Sequence, residues 1–154
     1  MTYREGRFWQ PDVTVATIVV RDGTFLMVEE MASGRCVINQ PAGHLEPDES
    51  LCEAALRETR EETGWDVRLT GFVGAYQWKA EETGRHYLRF AFMAEPLALD
   101  ETRTLDTGIV QARWMSLAEL HADAARHRSP LVQKVIDDAM AGRVSPLDML
   151  VHVS

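Results

Sequence analysis

The chain has 154 residues, of which 45% are hydrophobic and 26% charged, and its formal net charge is -8 at pH 7. This size and composition are typical of one globular domain, so we expect a single domain over residues 1–154. The excess of acidic residues disfavours nucleic acid as a partner, because such binding requires a basic surface. An acidic protein that handles anionic phosphates would need a metal ion between the two.

The sequence also argues against a secreted or membrane protein. Cys36 and Cys52 stand alone, with no C-x-x-C and no histidine at ligand spacing, which favours ordinary thiols in a reducing cytoplasm over a metal or redox site. The N-terminus has no apolar segment typical of a signal peptide, and no run approaches the roughly eighteen apolar residues of a membrane span. We therefore expect a cytoplasmic protein with no membrane partner.

The first predicted element is a β-hairpin. Residues 14–21 and 24–29 are rich in β-branched and apolar side chains and flank an Asp-Gly dipeptide, which is typical of a tight hairpin turn. A short apolar stretch at residues 36–38 follows and leads into a predicted loop at residues 41–43. The chain therefore begins with antiparallel strands.

A helix is predicted over residues 51–63. Ser50 and Glu53 have the spacing of a capping box at its start, and Gly64 provides a stop at its end. Apolar residues inside this segment recur at helical spacing. The helix therefore has one buried side and one side free for polar residues.

The second half of the chain predicts three strands and two helices. The strands cover residues 67–79, 86–94 and 109–115, with a polar loop at residues 97–108, and the helices cover residues 117–125 and 130–141. Ser129 is the expected N-cap of the last helix. The whole order predicts an α/β domain with a mixed sheet.

Glu58, Glu61 and Glu62 lie on one face of the predicted helix, because their spacing is i, i+3 and i+4. One interpretation is a solvated face, on which Arg57 offsets the repulsion. The other is an oxygen-rich site for Mg²⁺ or Mn²⁺, which prefer carboxylate ligands. Taken alone, the three glutamates favour the solvated face.

The residues around these glutamates favour the metal site instead. Residues 43–65 read "GHLEPDESLCEAALRETREETGW", in which five residues separate Gly43 from Glu49 and seven separate Glu49 from Arg57. This segment resembles the signature of the Nudix hydrolase family, G-x5-E-x7-R-E-U-x-E-E-x-G-U, where U is a bulky aliphatic residue. Every charged and glycine position matches, while Thr59 and Trp65 occupy the U positions. We refer to residues 43–65 as the box.

The resemblance implies an α/β/α sandwich, with a mixed sheet between helices, that hydrolyses phosphoanhydrides with divalent metals. The catalytic residues that it implies are Arg57, Glu58, Glu61 and Glu62. It implies that the metal ligands are the three glutamates and the backbone carbonyl of Ala42. Structural roles in the box then go to Gly43, Glu49 and Gly64, with Arg57 orienting Glu49 and Gly43 allowing a close approach of the loop.

Segments outside the box resemble one phosphatase subgroup of the family, over about residues 13–150. They read "TVATIVV", "NQPAGHLE", "LRFAF" and "RSPLV". The resemblance implies stepwise phosphate release from nucleoside tri- and diphosphates and hydrolysis of hydroxymethylpyrimidine pyrophosphate or thiamin pyrophosphate. The alternatives are another nucleotide substrate (an oxidised nucleotide, a dinucleoside polyphosphate or a nucleotide sugar) and a non-catalytic nucleotide sensor. The intact box glutamates disfavour the sensor, and family members occur as monomers and homodimers.

Substrate contacts are expected from residues on the predicted strands. Tyr76 and Trp78 could stack on a base, and Arg89, which alternates with the apolar residues of its strand, could reach a phosphate. The competing interpretations are core packing and a surface ion pair. His44 could reach the phosphate or cap the loop. Candidates for a general base outside the helix are Glu81, Glu82, Glu101 and Asp106, and a basic segment at residues 126–128 is a further candidate phosphate contact.

Overall fold

The computed structural model of the protein describes residues 9–154, so the predicted domain start at residue 1 lies outside the described residues. The strands are β1 (Asp12–Arg21), β2 (Thr24–Ala32), β3 (Arg35–Asn39), β4 (Ala42–His44), β5 (Trp65–Lys79), β6 (His86–Leu99) and β7 (Ile109–Ser116). The helices are α1 (Leu51–Thr63), α2 (Leu117–Ala122) and α3 (Leu131–Met140), with short 3₁₀ turns at Ala124–Arg126 and Leu147–Met149.

The sheet is mixed, and β1 is its organising strand. β1 pairs in parallel with β6 and antiparallel with β4, and it joins β2 through the hairpin. β5 is antiparallel to β6, while β3 and β7 flank β2. As a result, the short strand β4, which opens the box, lies two strands away from β6.

Helices cover both faces of this sheet. On one face, Ala54 and Ala55 of α1 pack against Val15 and Phe92. On the other face, α3 buries its apolar side against a cluster formed by Ile18, Phe25, Met27, Ile38, Ala91 and Met115. This arrangement confirms the predicted α/β/α sandwich, and the described residues contain no helix both long and apolar enough to cross a membrane.

Helix α1 begins and ends where the sequence predicts. The Ser50 side chain accepts a hydrogen bond from the Glu53 N–H at 3.0 Å, and Gly64 adopts a left-handed φ of 79° at the C-cap. Thr59, the first departure from the family signature, is fully buried and its hydroxyl donates to the Ala55 carbonyl at 2.7 Å. The second departure, Trp65, packs edge-to-face on Trp114. Thr59 and Trp65 therefore both contribute to packing.

Several predicted boundaries differ from the structure. Strand β4 occupies most of the predicted loop at residues 41–43. It forms through pairing with β1, which the local sequence pattern does not indicate. β6 extends past the predicted end at residue 94 to Leu99; from Pro96 onwards it pairs only with β5, and such an edge position is where sheets accommodate proline. The helix predicted over residues 117–125 ends at Ala122. The N-cap of α3 is Pro130, although the Ser129 hydroxyl still accepts from the Leu131 N–H at 3.2 Å.

Candidate active site

Strand β4 lies directly against the glutamates of α1. A Cβ atom at Gly43 would overlap the carboxyl group of Glu58, so any larger residue at this position would displace that carboxylate. The Ala42 N–H donates to Glu62 Oε1 at 2.8 Å. The strand therefore bonds Glu62 and leaves room for the Glu58 carboxylate beside Gly43, which gives a reason for the glycine at the start of the signature.

Arg57 forms hydrogen bonds with three glutamates of the box and with one backbone carbonyl. Its Nε and Nη2 donate to the two carboxylate oxygens of Glu49 at 3.0 and 2.7 Å, a bidentate contact that the resemblance implied. Its Nη1 donates to Glu58 at 2.8 Å and to Glu61 at 3.1 Å, and Nη2 also reaches the carbonyl of His44 at 3.0 Å. The guanidinium lowers the pKa of Glu49. Arg57 therefore organises the glutamates and balances part of their charge.

Three carboxylates form a cluster that could hold a metal ion. One oxygen each from Glu58, Glu61 and Asp106 lie within 4.8 Å of one another. The Asp106 N–H donates to the Glu61 carbonyl at 3.1 Å, which fixes the loop to the helix. The resemblance implied Glu58, Glu61, Glu62 and the Ala42 carbonyl as ligands, and this set stays a prediction. The structure places Asp106 beside Glu58 and Glu61, while Glu62 accepts from the Ala42 N–H. We refer to Glu58, Glu61 and Asp106 as the acidic cluster.

Glu62 is buried at this site, Glu58 and Glu61 are partly buried, and Asp106 is exposed. Burial raises the pKa of Glu58, and it raises the pKa of Glu62 to about 8, with the charges of Glu30, Glu58 and Asp106 adding to the shift at Glu62. A divalent cation would offset this repulsion. Carboxylate oxygens are also the donors that hard cations such as Mg²⁺ and Mn²⁺ take, so the residues present fit a divalent metal.

A cleft of about 1120 Å³ adjoins the box, with Ala42, Gly43 and Glu62 in its wall. The β2–β3 hairpin, the β5–β6 hairpin and the start of α3 also line it. Trp78 and Tyr87 both line the cleft, and their rings stack with centroids 5.7 Å apart and an interplanar angle of 23°. Together with the acidic cluster, this cleft can hold a phosphorylated molecule with a planar ring.

His44 and the basic segment at residues 126–128 lie at the edge of the cleft. His44 is exposed, and its Nε2 lies 3.1 Å from Asp12 Oδ1. Arg85, from the β5–β6 hairpin, donates to the same carboxylate. In the basic segment, His127 and Arg128 line the cleft, whereas Arg126 is directed towards Cys36 and Glu29.

Arg89 is buried in the cleft wall rather than paired on the surface. It is 7% exposed, and its Nη1 donates to Gln40 Oε1 at 3.3 Å. The alternative interpretation of Arg89 as half of a surface ion pair is therefore wrong. Sequence reasoning missed Gln40, since nothing around an isolated glutamine indicates a buried contact 49 residues away.

Tyr76 lies outside the cleft. Its ring packs against the core cluster beneath α3, and its hydroxyl donates to Asp138 Oδ2 at 2.8 Å. Burial raises the pKa of this phenol. We therefore assign Tyr76 a packing role, which corrects the prediction that it contacts the substrate. The contact with Asp138 places this partly buried ring against α3, and a tertiary contact of this kind cannot be predicted from the strand pattern.

Comparison with known proteins identifies the family to which this fold and site belong. The family model of the NUDIX domain matches residues 10–135. The chain is a member of the Nudix family. This Nudix hydrolase is 42% identical over 142 residues to the phosphatase NudJ of Escherichia coli K12, covering 92% of each chain, and it matches the phosphatase NudJ of Shigella flexneri equally well.

A solved structure supports the same conclusion. The NUDIX hydrolase from Nitrosomonas europaea is 45% identical, with a TM-score of 0.92 over 94% of this chain and 98% of that one. The predicted family and its NudJ-like subgroup are thereby confirmed. This Nudix hydrolase is an enzyme that hydrolyses phosphorus-containing anhydrides. Members of the family generally use divalent metals, which agrees with the acidic cluster.

Arg57→Lys should reduce kcat/KM of this Nudix hydrolase by about 10- to 100-fold, because lysine lacks the fork that bonds Glu49 bidentately and cannot reach Glu58 at the same time. Initial rates of phosphate release measure the change. Arg60→Lys on the same helix is the matched control, since Arg60 is exposed and bonds Asp66 instead. Equal rates for Arg57→Lys and Arg60→Lys would contradict an organising role for Arg57.

Proposed function

We propose that this Nudix hydrolase releases orthophosphate from a small phosphorylated metabolite in a metal-dependent reaction. The proposed substrates are NudJ-like: nucleoside tri- and diphosphates, hydroxymethylpyrimidine pyrophosphate or thiamin pyrophosphate. The observation that carries the proposal is the acidic cluster, which lies beside a cleft large enough for such a molecule. The NudJ relatives, whose name describes a phosphatase, support the choice of substrate class.

The proposed cofactor is Mg²⁺, with Mn²⁺ as an alternative. Glu58 and Glu61 would hold it, and Glu62, Asp106 and the carbonyl of Ala42 are the further proposed ligands. When bound, such an ion neutralises charge on the phosphate oxygens and lowers the pKa of a coordinated water. This chemistry is what an enzyme with net charge -8 needs in order to accept an anionic substrate.

The residues of this chain then supply positioning and proton transfer. Arg57 keeps Glu49, Glu58 and Glu61 in place through four nitrogen–oxygen contacts, and a fifth contact reaches the His44 carbonyl. Of the four loop carboxylates considered as general bases, Asp106 is the one that joins the acidic cluster. We therefore propose that Asp106 either completes the metal site or accepts the proton of the attacking water.

The organic part of the substrate is proposed to lie in the cleft beside Trp78 and Tyr87. A pyrimidine or purine could stack on this aromatic pair, since offset ring stacking adds stabilisation beyond the buried area. His44, at the cleft edge, is within the region that a substrate phosphate would cross. These contacts do not distinguish a pyrimidine from a purine, so a substrate panel must decide between them.

Three further properties belong to the same proposal. A cytoplasmic location is supported by the two cysteines, which are both free thiols. One domain over residues 1–154 is supported by the continuous sheet that all seven strands share. A monomer or a homodimer is the proposed assembly, and light scattering of the purified enzyme distinguishes the two.

A substrate panel with Mg²⁺ tests the proposed function. It should include hydroxymethylpyrimidine pyrophosphate, thiamin pyrophosphate, the common nucleoside tri- and diphosphates, ADP-ribose and diadenosine polyphosphates, with products resolved by chromatography. We expect orthophosphate as the first product and the highest kcat/KM within the first three groups. Release of pyrophosphate with a monophosphate, or a preference for the last two groups, would contradict the proposal in favour of another nucleotide substrate.

A further inference from the structure

The cleft wall contains a buried cation that forms no ion pair with any of the residues that the structure describes. Arg89 is 7% exposed and lines the cleft, and within residues 9–154 it forms no ion pair with a carboxylate. Its Nη1 bonds only the neutral Gln40, and its Nε has no hydrogen-bond partner. Burial, together with the nearby charge of Arg128, lowers the pKa of Arg89 to about 10. A buried charge of this kind is costly unless a ligand supplies the counter-charge.

A second unpartnered polar group lies beside Arg89. The Thr14 hydroxyl is buried without a hydrogen-bond partner, and Thr14 is the register partner of Arg89 across the parallel β1–β6 pair. Both residues line the cleft, as does Asn39, whose Oδ1 is also unpartnered. Arg89 and Thr14 can donate to an oxyanion, whereas Asn39 Oδ1 only accepts. The two donors therefore define a small anion-binding surface.

The charges of the nearby Glu30 and Glu62 favour the charged form of Arg89, but within residues 9–154 neither carboxylate forms an ion pair with it. Glu30 is engaged by Arg128, whose Nη1 donates to it at 2.7 Å, and Glu62 accepts from the N–H of Ala42. The N-terminus of α3 also reaches the cleft through Ser129, Pro130 and Leu131. A helix N-terminus carries partial positive charge, which adds to the preference of the cleft for an anion.

Gln40 holds Arg89 in position. Gln40 is 1% exposed, and its Nε2 donates to the Val132 carbonyl of α3 at 2.7 Å. Because a carbonyl can only accept, this bond fixes the amide so that Oε1 faces Arg89. The guanidinium is thus oriented before any ligand binds, as in a preorganised binding site.

We propose that Arg89 and Thr14 form a phosphate subsite in the cleft, with Gln40 as the positioning residue for Arg89. This inference rests on the proposed function and deepens it: one phosphate of the substrate lies at the acidic cluster and a second is bound by Arg89. A substrate with two or more phosphate groups can occupy both places, and a monophosphate can occupy only one. The subsite therefore selects for a diphosphate or triphosphate group.

Binding of inorganic phosphate to the chelator-treated enzyme tests the subsite directly. Chelation removes divalent cations, so that calorimetry reports phosphate bound by the protein alone. We expect Arg89→Gln to weaken phosphate binding by about 10- to 100-fold, the range for charge-assisted hydrogen bonds. Arg85→Gln is the matched control, because Arg85 lines the same cleft but is exposed and paired with Asp12; it should change binding less than about 2-fold.

Kinetics provide a second readout. Arg89→Gln should raise KM for the best nucleoside diphosphate by about 10- to 100-fold and change kcat much less, since the contact exists before and during reaction. If the unfolding midpoint shows that Arg89→Gln does not fold, Arg89→Lys and Thr14→Val take its place, with smaller losses of phosphate affinity expected. A purely structural arginine would lower the midpoint and leave KM unchanged.

Two outcomes overturn the subsite: no phosphate binding by the chelated wild-type enzyme, or equal binding by the wild-type enzyme and a folded Arg89→Gln, Arg89→Lys and Thr14→Val. Failure of the proposed function is a separate result, because a wild-type enzyme that hydrolyses no member of the substrate panel could still bind phosphate through Arg89.

Discussion

Glu58→Gln is expected to reduce kcat for phosphate release by about 1,000-fold, which corresponds to about 4 kcal/mol of lost transition-state stabilisation. Glu58 contributes to the acidic cluster and contacts both Arg57 and the Gly43 backbone. An amide of the same size keeps the shape but removes a negative ligand oxygen for the cation. Rates at saturating substrate and Mg²⁺ measure the loss.

Glu53→Gln is the matched control for Glu58→Gln. Glu53 lies on the same helix, is exposed, and bonds Ser50 through its backbone N–H rather than its carboxylate. Its substitution should leave kcat within about 2-fold, since it contacts neither the cluster nor the cleft. If Glu58→Gln is as active as Glu53→Gln, the acidic cluster is not the catalytic centre.

Gly43→Ala is expected to lower kcat/KM by about 100-fold, because the added methyl group displaces the Glu58 carboxylate on which it would lie. Displacements of about 1 Å in a reacting geometry have effects of this size. The free energy of unfolding should fall only modestly, since the carboxylate is the far end of a flexible side chain. Steady-state kinetics and denaturant unfolding of the same preparation separate the two effects.

Gly71→Ala provides a steric control for Gly43→Ala. A Cβ atom at Gly71 would also overlap a side chain, that of Val144, but it would do so away from the cleft. We expect Gly71→Ala to lower the free energy of unfolding by about 1–3 kcal/mol and to retain kcat/KM. Equal activity of the two glycine variants would show that the fit between β4 and Glu58 is not needed for catalysis.

The box helix was predictable because its signals are local. Ser50 and Gly64 specify its ends, and the observed bounds Leu51–Thr63 agree with the prediction. Of the predicted capping box, the structure shows the bond from the Glu53 N–H to the Ser50 side chain, while the described residues contain no return bond from the Glu53 carboxylate. The contact of Arg57 with Glu49 was implied by the resemblance to the family signature. Within the box, the sequence therefore predicted both the helix and the ion pair between Arg57 and Glu49.

The parts of the site that depend on tertiary contacts were not predictable. β4 forms because three residues pair with β1, and Asp106 joins Glu58 and Glu61 because its loop bonds to the end of α1. Tyr76 turned out to be held by Asp138, 62 residues away in the sequence. Alternation along a strand indicates which face a side chain is on but not which helix covers that face.

The burial of Arg89 illustrates the same limit. Its alternation with Leu88, Phe90 and Phe92 correctly separated it from the apolar side of β6. The opposite face of β6, however, is covered by the cleft wall and α3 rather than by water. A charged residue on a strand in a sandwich with helices on both sides can therefore be buried, whichever face it lies on.

The measurement that tests the central claim most directly is phosphate release before and after removal of divalent metal. The claim is that the acidic cluster beside the cleft makes hydrolysis of a phosphoanhydride depend on a bound cation. Chelation should lower the rate by about 1,000-fold or more, and Mg²⁺ should restore it in the wild-type enzyme but not in Glu58→Gln. Hydrolysis at the full rate by enzyme freed of divalent metal would contradict the claim.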